Sequence, residues 1–332
     1  MTTPFYPDGR LYERKLESNV EHYSRTPASG MFVLGDAGEA EALTEDETRT
    51  VLRTAIGAAA KEKAMIASVG RESVFRTLRL AEAAAEAGYD AIAVRAPAFA
   101  DDSSMKIELM TYFRAVAVGV SLPVMMVSGP GRGLSVELAA ELAQHPNVIG
   151  LMDGESVPER VAQMKAATAS VSREVTVTTV FAAATRRMLA VTDGSFVSAA
   201  SLGGVAVLEA KPGMKTRVKR VGFQLLTGST MGMLESWQAG AVGSVPRLGA
   251  CAPQACCEVW QAFRDGDLAL AEEKQDRVRR VAARMEGARG IGAIKYGCDF
   301  NGYYGGRPRL PLLGLTAAEC AEVERELVGM RN

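Results

Sequence analysis

Short apolar runs alternate with longer amphipathic stretches along most of this chain. MFVLG (31–35) is a buried-strand candidate, and LTEDETRTVLRTAIGAAA follows it. In that stretch Thr44 and Glu47 have capping-box spacing, and Val51, Leu52, Ala55 and Ile56 recur at the helical period. The alternation continues through AMIAS (64–68), a helix over SVFRTLRLAEAAAEA stopped by Gly88, and DAIAVRA (90–96). Then come a helix over IELMTYFRAVAVGV, the strand PVMMV (123–127), the helix SVELAAELAQH, the strand NVIGLM (147–152) and the helix VPERVAQMKAAT. Strands that are apolar throughout, set between amphipathic helices, predict a parallel sheet covered on its outer face. A (β/α)8 TIM barrel and a doubly wound sheet both satisfy that pattern. The doubly wound reading asks for a glycine fingerprint after the first strand. GDAGEA lacks the G-x-G-x-x-G order, and GPGRG (129–133) suits a turn, so a dinucleotide site finds little support.

Composition narrows the function classes. The 332 residues are 48% hydrophobic and 23% charged, enough for a substantial core. Net charge is −1, and the basic pairs Arg186–Arg187, Lys219–Arg220 and Arg279–Arg280 are scattered, which argues against a nucleic-acid partner. No apolar run approaches the length of a membrane span, and MTTPFYPDGR is not a signal peptide, so a cytoplasmic location is expected. Cys251, Cys256, Cys257, Cys298 and Cys320 make an odd count without a CxxC pair, and His22 and His145 are the only histidines. Buried thiols are therefore expected, with neither a disulfide framework nor a metal or cofactor site.

Six segments then fall into one register: TPF…DGR (Thr3 to Arg10), GMFVLGDAGEAEALTEDE, LPVMMVSGPGRG, HPNVIGLMDGES, FQLLTGSTMGMLESWQAGAVGSVPRLGACAP and IGAIKYGCDFNGYYGGRPRLPLL. Together, and over nearly the whole chain, they resemble the dihydrodipicolinate synthase/N-acetylneuraminate lyase family of barrel aldolases. The resemblance implies a (β/α)8 barrel over residues 1–253 and a helical region over 254–332, with two helices broken near Asp265–Gly266. It also implies a homodimer or homotetramer. Two features depart from the pattern. Too few residues precede Pro4 for a strand of about five, so either the first strand is short or the true start lies upstream. A segment at about 170–221 is inserted, with VTVTTVF and GGVAVLEA as strand candidates before the basic KPGMKTRVKR. A helix-to-strand connection lies on the N-terminal face of a barrel, so an added hairpin or subunit contact is preferred to an active-site lid.

The family's chemistry, as the resemblance implies it, holds a pyruvate-type 2-oxo acid as an imine on a lysine at a strand end. In this chain that position is Met152, whose thioether forms no imine. Val127 occupies the catalytic tyrosine position, and Gly35-Asp36-Ala37-Gly38 replaces a glycine-threonine-threonine-glycine segment. Phe99 stands where another tyrosine is often found. Arg132 survives, in the turn whose arginine meets the substrate carboxylate in the family; otherwise it is a turn arginine paired with a surface acid.

The candidate ligand contacts are accordingly Arg132, Gly35, Asp36, Ala37, Phe99 and Arg95, and the ligand class is a small carboxylate or 2-oxo acid. Asp36 and Asp153 are candidate acid–base groups, with Glu155 and Arg71 nearby. For Asp36 and Arg95 a structural ion-pair network is the preferred account. Glu39 reads as a helix cap, and Lys295 and Lys211 as surface lysines. Three functions follow: a barrel that has lost imine-dependent lyase activity while binding a carboxylate, a lyase or dehydratase working by non-covalent acid–base catalysis, or a structural partner of an active paralogue.

Overall fold

The computed structural model describes residues 1–100, 102, 104–155, 157–178, 184–193, 216–287 and 290–330. One parallel sheet runs in chain order through β1 (Gly30–Val33), β2 (Ala64–Ser68), β3 (Ala91–Arg95), β4 (Val124–Ser128), β5 (Val148–Asp153), β8 (Gln224–Thr227) and β9 (Gly243–Ser244), the first five on the predicted apolar runs from MFVLG to NVIGLM. Parallel neighbours require crossovers, and the amphipathic segments supply them. These are α2 (Glu45–Ala58), α3 (Val74–Ala87), α4 (Lys106–Gly119), α5 (Val136–Ala143), α6 (Pro158–Ala167) and, between β8 and β9, α8 (Met233–Gln238). The Thr44–Glu47 capping box starts α2, and Gly88, at φ 97°, ends α3. The sheet is curled into a barrel, because residues at the C-terminal ends of all seven strands line one cavity.

The opening residues lie beside β1 without forming a strand. Met1 N donates to Phe32 O at 3.1 Å, and the Thr3 hydroxyl donates to Gly38 O at 2.6 Å. Helix α1 (Glu13–Ser24) follows. The segment at about 170–221 contributes an antiparallel pair, β6 (Arg173–Thr178) with β7 (Thr216–Val221), and helix α7 (Arg186–Asp193). Arg173 donates to the carbonyls of Ala143 and His145, and Arg187 to those of Ala59, Ala60 and Lys63. Those carbonyls precede β5 and β2, so Arg173 and Arg187 sit at the N-terminal end of the barrel, away from the cavity. The strand expected over GGVAVLEA, and Lys211, lie outside the described residues.

The C-terminal region is helical: α9 (Pro253–Arg264), α10 (Leu268–Met285), α11 (Gly290–Phe300) and α12 (Ala317–Leu327), with the first break at Asp265–Gly266. No helix among the described residues is long and apolar enough to cross a membrane. Cys251, Cys256 and Cys298 are buried free thiols, while Cys257 and Cys320 are half-buried.

Two expectations need correction here. Lys295 is not a surface lysine: it is fully buried on α11, and its ammonium donates to Glu39 Oε1 (2.6 Å), Thr3 O (2.9 Å) and Arg307 O (3.1 Å). Glu39 is not a helix cap, since Thr44 performs that role. Its second oxygen instead accepts from Arg309 N at 2.8 Å. A buried charge demands a partner, and these two residues supply each other with one. Burial lowers the Lys295 pKa, and Glu39 opposes that shift.

Removing one member of such a pair strands the other, which costs about 3–5 kcal/mol. Glu39→Ala is therefore expected to lower unfolding stability by roughly that amount in a urea titration. A loss no larger than that of an exposed Glu→Ala control would show the pair to be dispensable.

Candidate active site

The cavity occupies the barrel's C-terminal mouth and measures about 460 Å³. Its apolar wall comes from Phe32 and Leu34 at the end of β1, Val127 on β4 and Met152 on β5. The Met152 sulfur lies over Gly228, where a Cβ would approach it to 2.6 Å, so the glycine makes room for the thioether. Ser68, Ser128 and Ser229 add hydroxyl-bearing residues to the lining. Among the described residues no lysine or tyrosine lines the cavity, and the Lys295 ammonium is spent on Glu39 and two carbonyls.

Of the residues predicted from sequence, the fold brings Gly35, Asp36, Ala37, Arg95, Val127, Arg132 and Met152 to this one cavity. Phe99 is not among them; it is 62% exposed in the β3–α4 loop. Asp153 is also absent. Adjacent strand residues face opposite ways, so with Met152 inward Asp153 turns to the helical layer, where Arg160 of α6 donates to it at 3.1 Å. Burial raises its pKa and Arg160 partly offsets the shift. Arg71 pairs with Glu45 and, like Glu155, does not line the cavity.

Charge in the mouth is arranged around three arginines. Arg95 pairs with Glu41, whose carboxylate also lies 3.9 Å from Arg132, and Arg247 lies 3.5 Å from Asp36. Asp36 and Arg95 are thus both ion-paired, though with different partners. Burial, then the neighbouring Arg132 charge, lower the Arg95 pKa. Arg132 Nη1 is buried and has no hydrogen-bond acceptor. The loop supplying Asp36 and Glu41 holds two non-glycine residues in the left-handed region, Leu34 at φ 61° and Glu39 at φ 51°. Such backbone strain costs of order 1–3 kcal/mol per residue and persists only where the surroundings fix it.

Sequence reasoning missed Glu41, Arg247 and Glu286. The first two stand inside quoted motifs, but only the folded loop shows which charges meet. Glu286, which ends α10, lines the cavity. Its Oε1 accepts from the Thr230 hydroxyl (2.5 Å) and Leu248 N (2.7 Å). Burial raises its pKa against those two hydrogen bonds. Among the described residues no group of three or more His, Cys, Asp or Glu is placed to hold a metal ion.

With this geometry established, the relatives can be placed. The dihydrodipicolinate synthetase family model matches residues 1–202 and 204–329. A 4-hydroxy-tetrahydrodipicolinate synthase of Acidiphilium cryptum is 26% identical, over 99% of this chain and 96% of its own length. A dihydrodipicolinate synthase of Bacillus anthracis superposes with a TM-score of 0.79 at 21% identity, covering 100% of this chain and 97% of the other. A prophage protein of the same family from E. coli K12, solved in complex with pyruvate, gives 0.78 at 21% identity, covering 99% and 96%.

Asp153 belongs to the scaffold on this geometry. Asp153→Asn is expected to cost about 1.5–3 kcal/mol of stability, the worth of hydrogen bonds to a charged group, while leaving the affinity for any small carboxylate within about twofold, well under the tenfold that 1.4 kcal/mol would produce. A selective loss of affinity in isothermal titration, with stability intact, would return Asp153 to the site.

Proposed function

This chain belongs to the dihydrodipicolinate synthetase family, and from the groups that line its cavity we propose that it has lost imine-dependent lyase chemistry and binds a small carboxylate, such as a 2-oxo acid, through Arg132. One observation carries the reading. At the barrel's mouth stands the Met152 thioether, and among the described residues no lysine lines the cavity.

Imine formation begins with attack of an uncharged amine on the ketone carbon. Met152 has no such lone pair on nitrogen, and Val127 has no hydroxyl to move protons. What remains suits recognition. Arg132 presents a planar fork with an unused buried Nη1, matched to the two oxygens of a carboxylate. Phe32, Leu34, Val127 and Met152 form an apolar wall for the carbon chain. Pyruvate bound to the E. coli relative supports the ligand class.

Borohydride reduction in the presence of pyruvate, read by peptide mass spectrometry, is expected to leave every lysine unmodified. An adduct on any lysine would overturn the proposal. Arg132→Ala is expected to weaken pyruvate binding at least about tenfold, the equivalent of 1.4 kcal/mol.

Glu286 favours a second reading, in which the site performs non-covalent acid–base chemistry on the bound acid. Its Oε1 is pinned by two hydrogen bonds at the cavity wall, and burial raises its pKa, as suits a proton-transfer group. As a base, Oε2 would take a proton from the carbon beside the ketone and return a solvent proton to it. On this reading the chain exchanges the methyl protons of pyruvate with D₂O, and Glu286→Gln abolishes the exchange seen by NMR. Equal exchange in both proteins would end it.

A further inference from the structure

Arg95, Arg132 and Arg247 reach one cavity from β3, from the β4–α5 turn and from the turn after β9. The carboxylates that meet them are those of Glu41 and Asp36, whose side chains are 65% and 68% exposed. Glu41 touches Arg95 but lies 3.9 Å from Arg132, and Asp36 lies 3.5 Å from Arg247, so neither of these longer contacts is a good hydrogen bond. Each guanidinium carries about five N–H donors, and two exposed acids satisfy only a minority of them. Exposed ion pairs contribute little, so an incoming anion displaces them readily. Glu286 is the remaining acid among the lining residues, and its Oε1 is held by the Thr230 hydroxyl and Leu248 N.

Resting on the carboxylate-site reading above, we infer that the preferred ligand is a dianion, with one anionic group on Arg95 and Arg132 in place of Glu41 and the other on Arg247 in place of Asp36. A lone carboxylate fills the first seat and leaves the second to Asp36. A volume of about 460 Å³ accommodates a short chain bearing two such groups, with Leu34, Val127 and Met152 against the carbons between them. Dicarboxylates and carboxylate-phosphates share this chemistry.

Isothermal titration of the full chain with pyruvate, 2-oxoglutarate and phosphoenolpyruvate at one fixed low salt concentration tests the inference. At least one dianion is expected to bind about tenfold or more tighter than pyruvate, with 2-oxoglutarate or phosphoenolpyruvate identifying which second group is preferred. Arg247→Gln is expected to shrink that advantage, read as the ratio of the two affinities, below about threefold. Glu41→Gln, which vacates the first seat, is expected to tighten both classes. Arg247 and Glu41 are 38% and 65% exposed, so neither substitution threatens the fold, and thermal melts check this. Equal affinity for pyruvate and both dianions, or an advantage that survives Arg247→Gln, overturns the dianion inference and leaves the carboxylate reading standing. Binding of none of the three sinks both. A lysine adduct trapped by borohydride sinks only the earlier reading, because dianion preference is measured without it.

Discussion

The buried pair between Lys295 and Glu39 is the constraint on which the mouth of this barrel depends. An ammonium with no exposed surface and a carboxylate at 2% side-chain exposure lie 2.6 Å apart. Three parts of the chain distant in sequence meet there: the opening segment through Thr3 O, the β1–α2 loop through Glu39, and the C-terminal tail through Arg307 O and Arg309 N. Arg309 extends the clamp. It donates to both Glu47 oxygens, at 2.7 and 2.8 Å, and to Ala42 O, so the start of α2 is fixed to the tail as well. Those hydrogen bonds hold the Glu47 carboxyl down at about 2. Net energy from such groups is modest, but the directional demand is severe, because each donor left unmatched would carry a desolvation penalty.

The clamp explains how strained backbone survives at the site. Glu39 at φ 51° gives up a preferred conformation, and its carboxylate is bonded on both oxygens. Beside it the strand ends converge on one cavity, whose lining includes the Met152 thioether, Val127 and Asp36. Reactive groups and scaffold can diverge separately because parallel-strand register depends on backbone pairing and outer-face packing, not on which side chain points inward at the mouth.

Much of the fold was legible in the sequence because its signals are local. Apolar runs bounded by turns located β1 to β5, the Thr44–Glu47 spacing located the start of α2, and Gly88 located the end of α3. The lining of the cavity was legible where a motif fixes position at or just past a strand end, as at Val127, Arg132 and Met152. It failed where the outcome depends on facing direction or on distant partners. Asp153 sits one residue past Met152, and strand alternation sends it outward. Lys295 looks like any lysine in a helix until Glu39, 256 positions away, is brought against it. Glu286 carries no local signal, since only the docking of α10 on the barrel decides that its last turn meets the mouth.

These features combine into one property of the β1–α2 loop. Its backbone is fixed by the buried Glu39, yet the neighbouring Asp36 and Glu41 hold their carboxylates largely in solvent. The loop therefore offers exposed counter-ions on a hydrogen-bonded support. An anion entering the mouth need only turn two side chains aside, and releasing them into water returns rotamer freedom that pairing had restrained. The arginines stay partly buried, with Arg95 at 22% and Arg132 at 26% side-chain exposure, and so keep their positions when the acids leave. Preorganised cations with displaceable internal anions keep a charged cavity compatible with folding while it is empty, and still leave most of the guanidinium donors for a ligand.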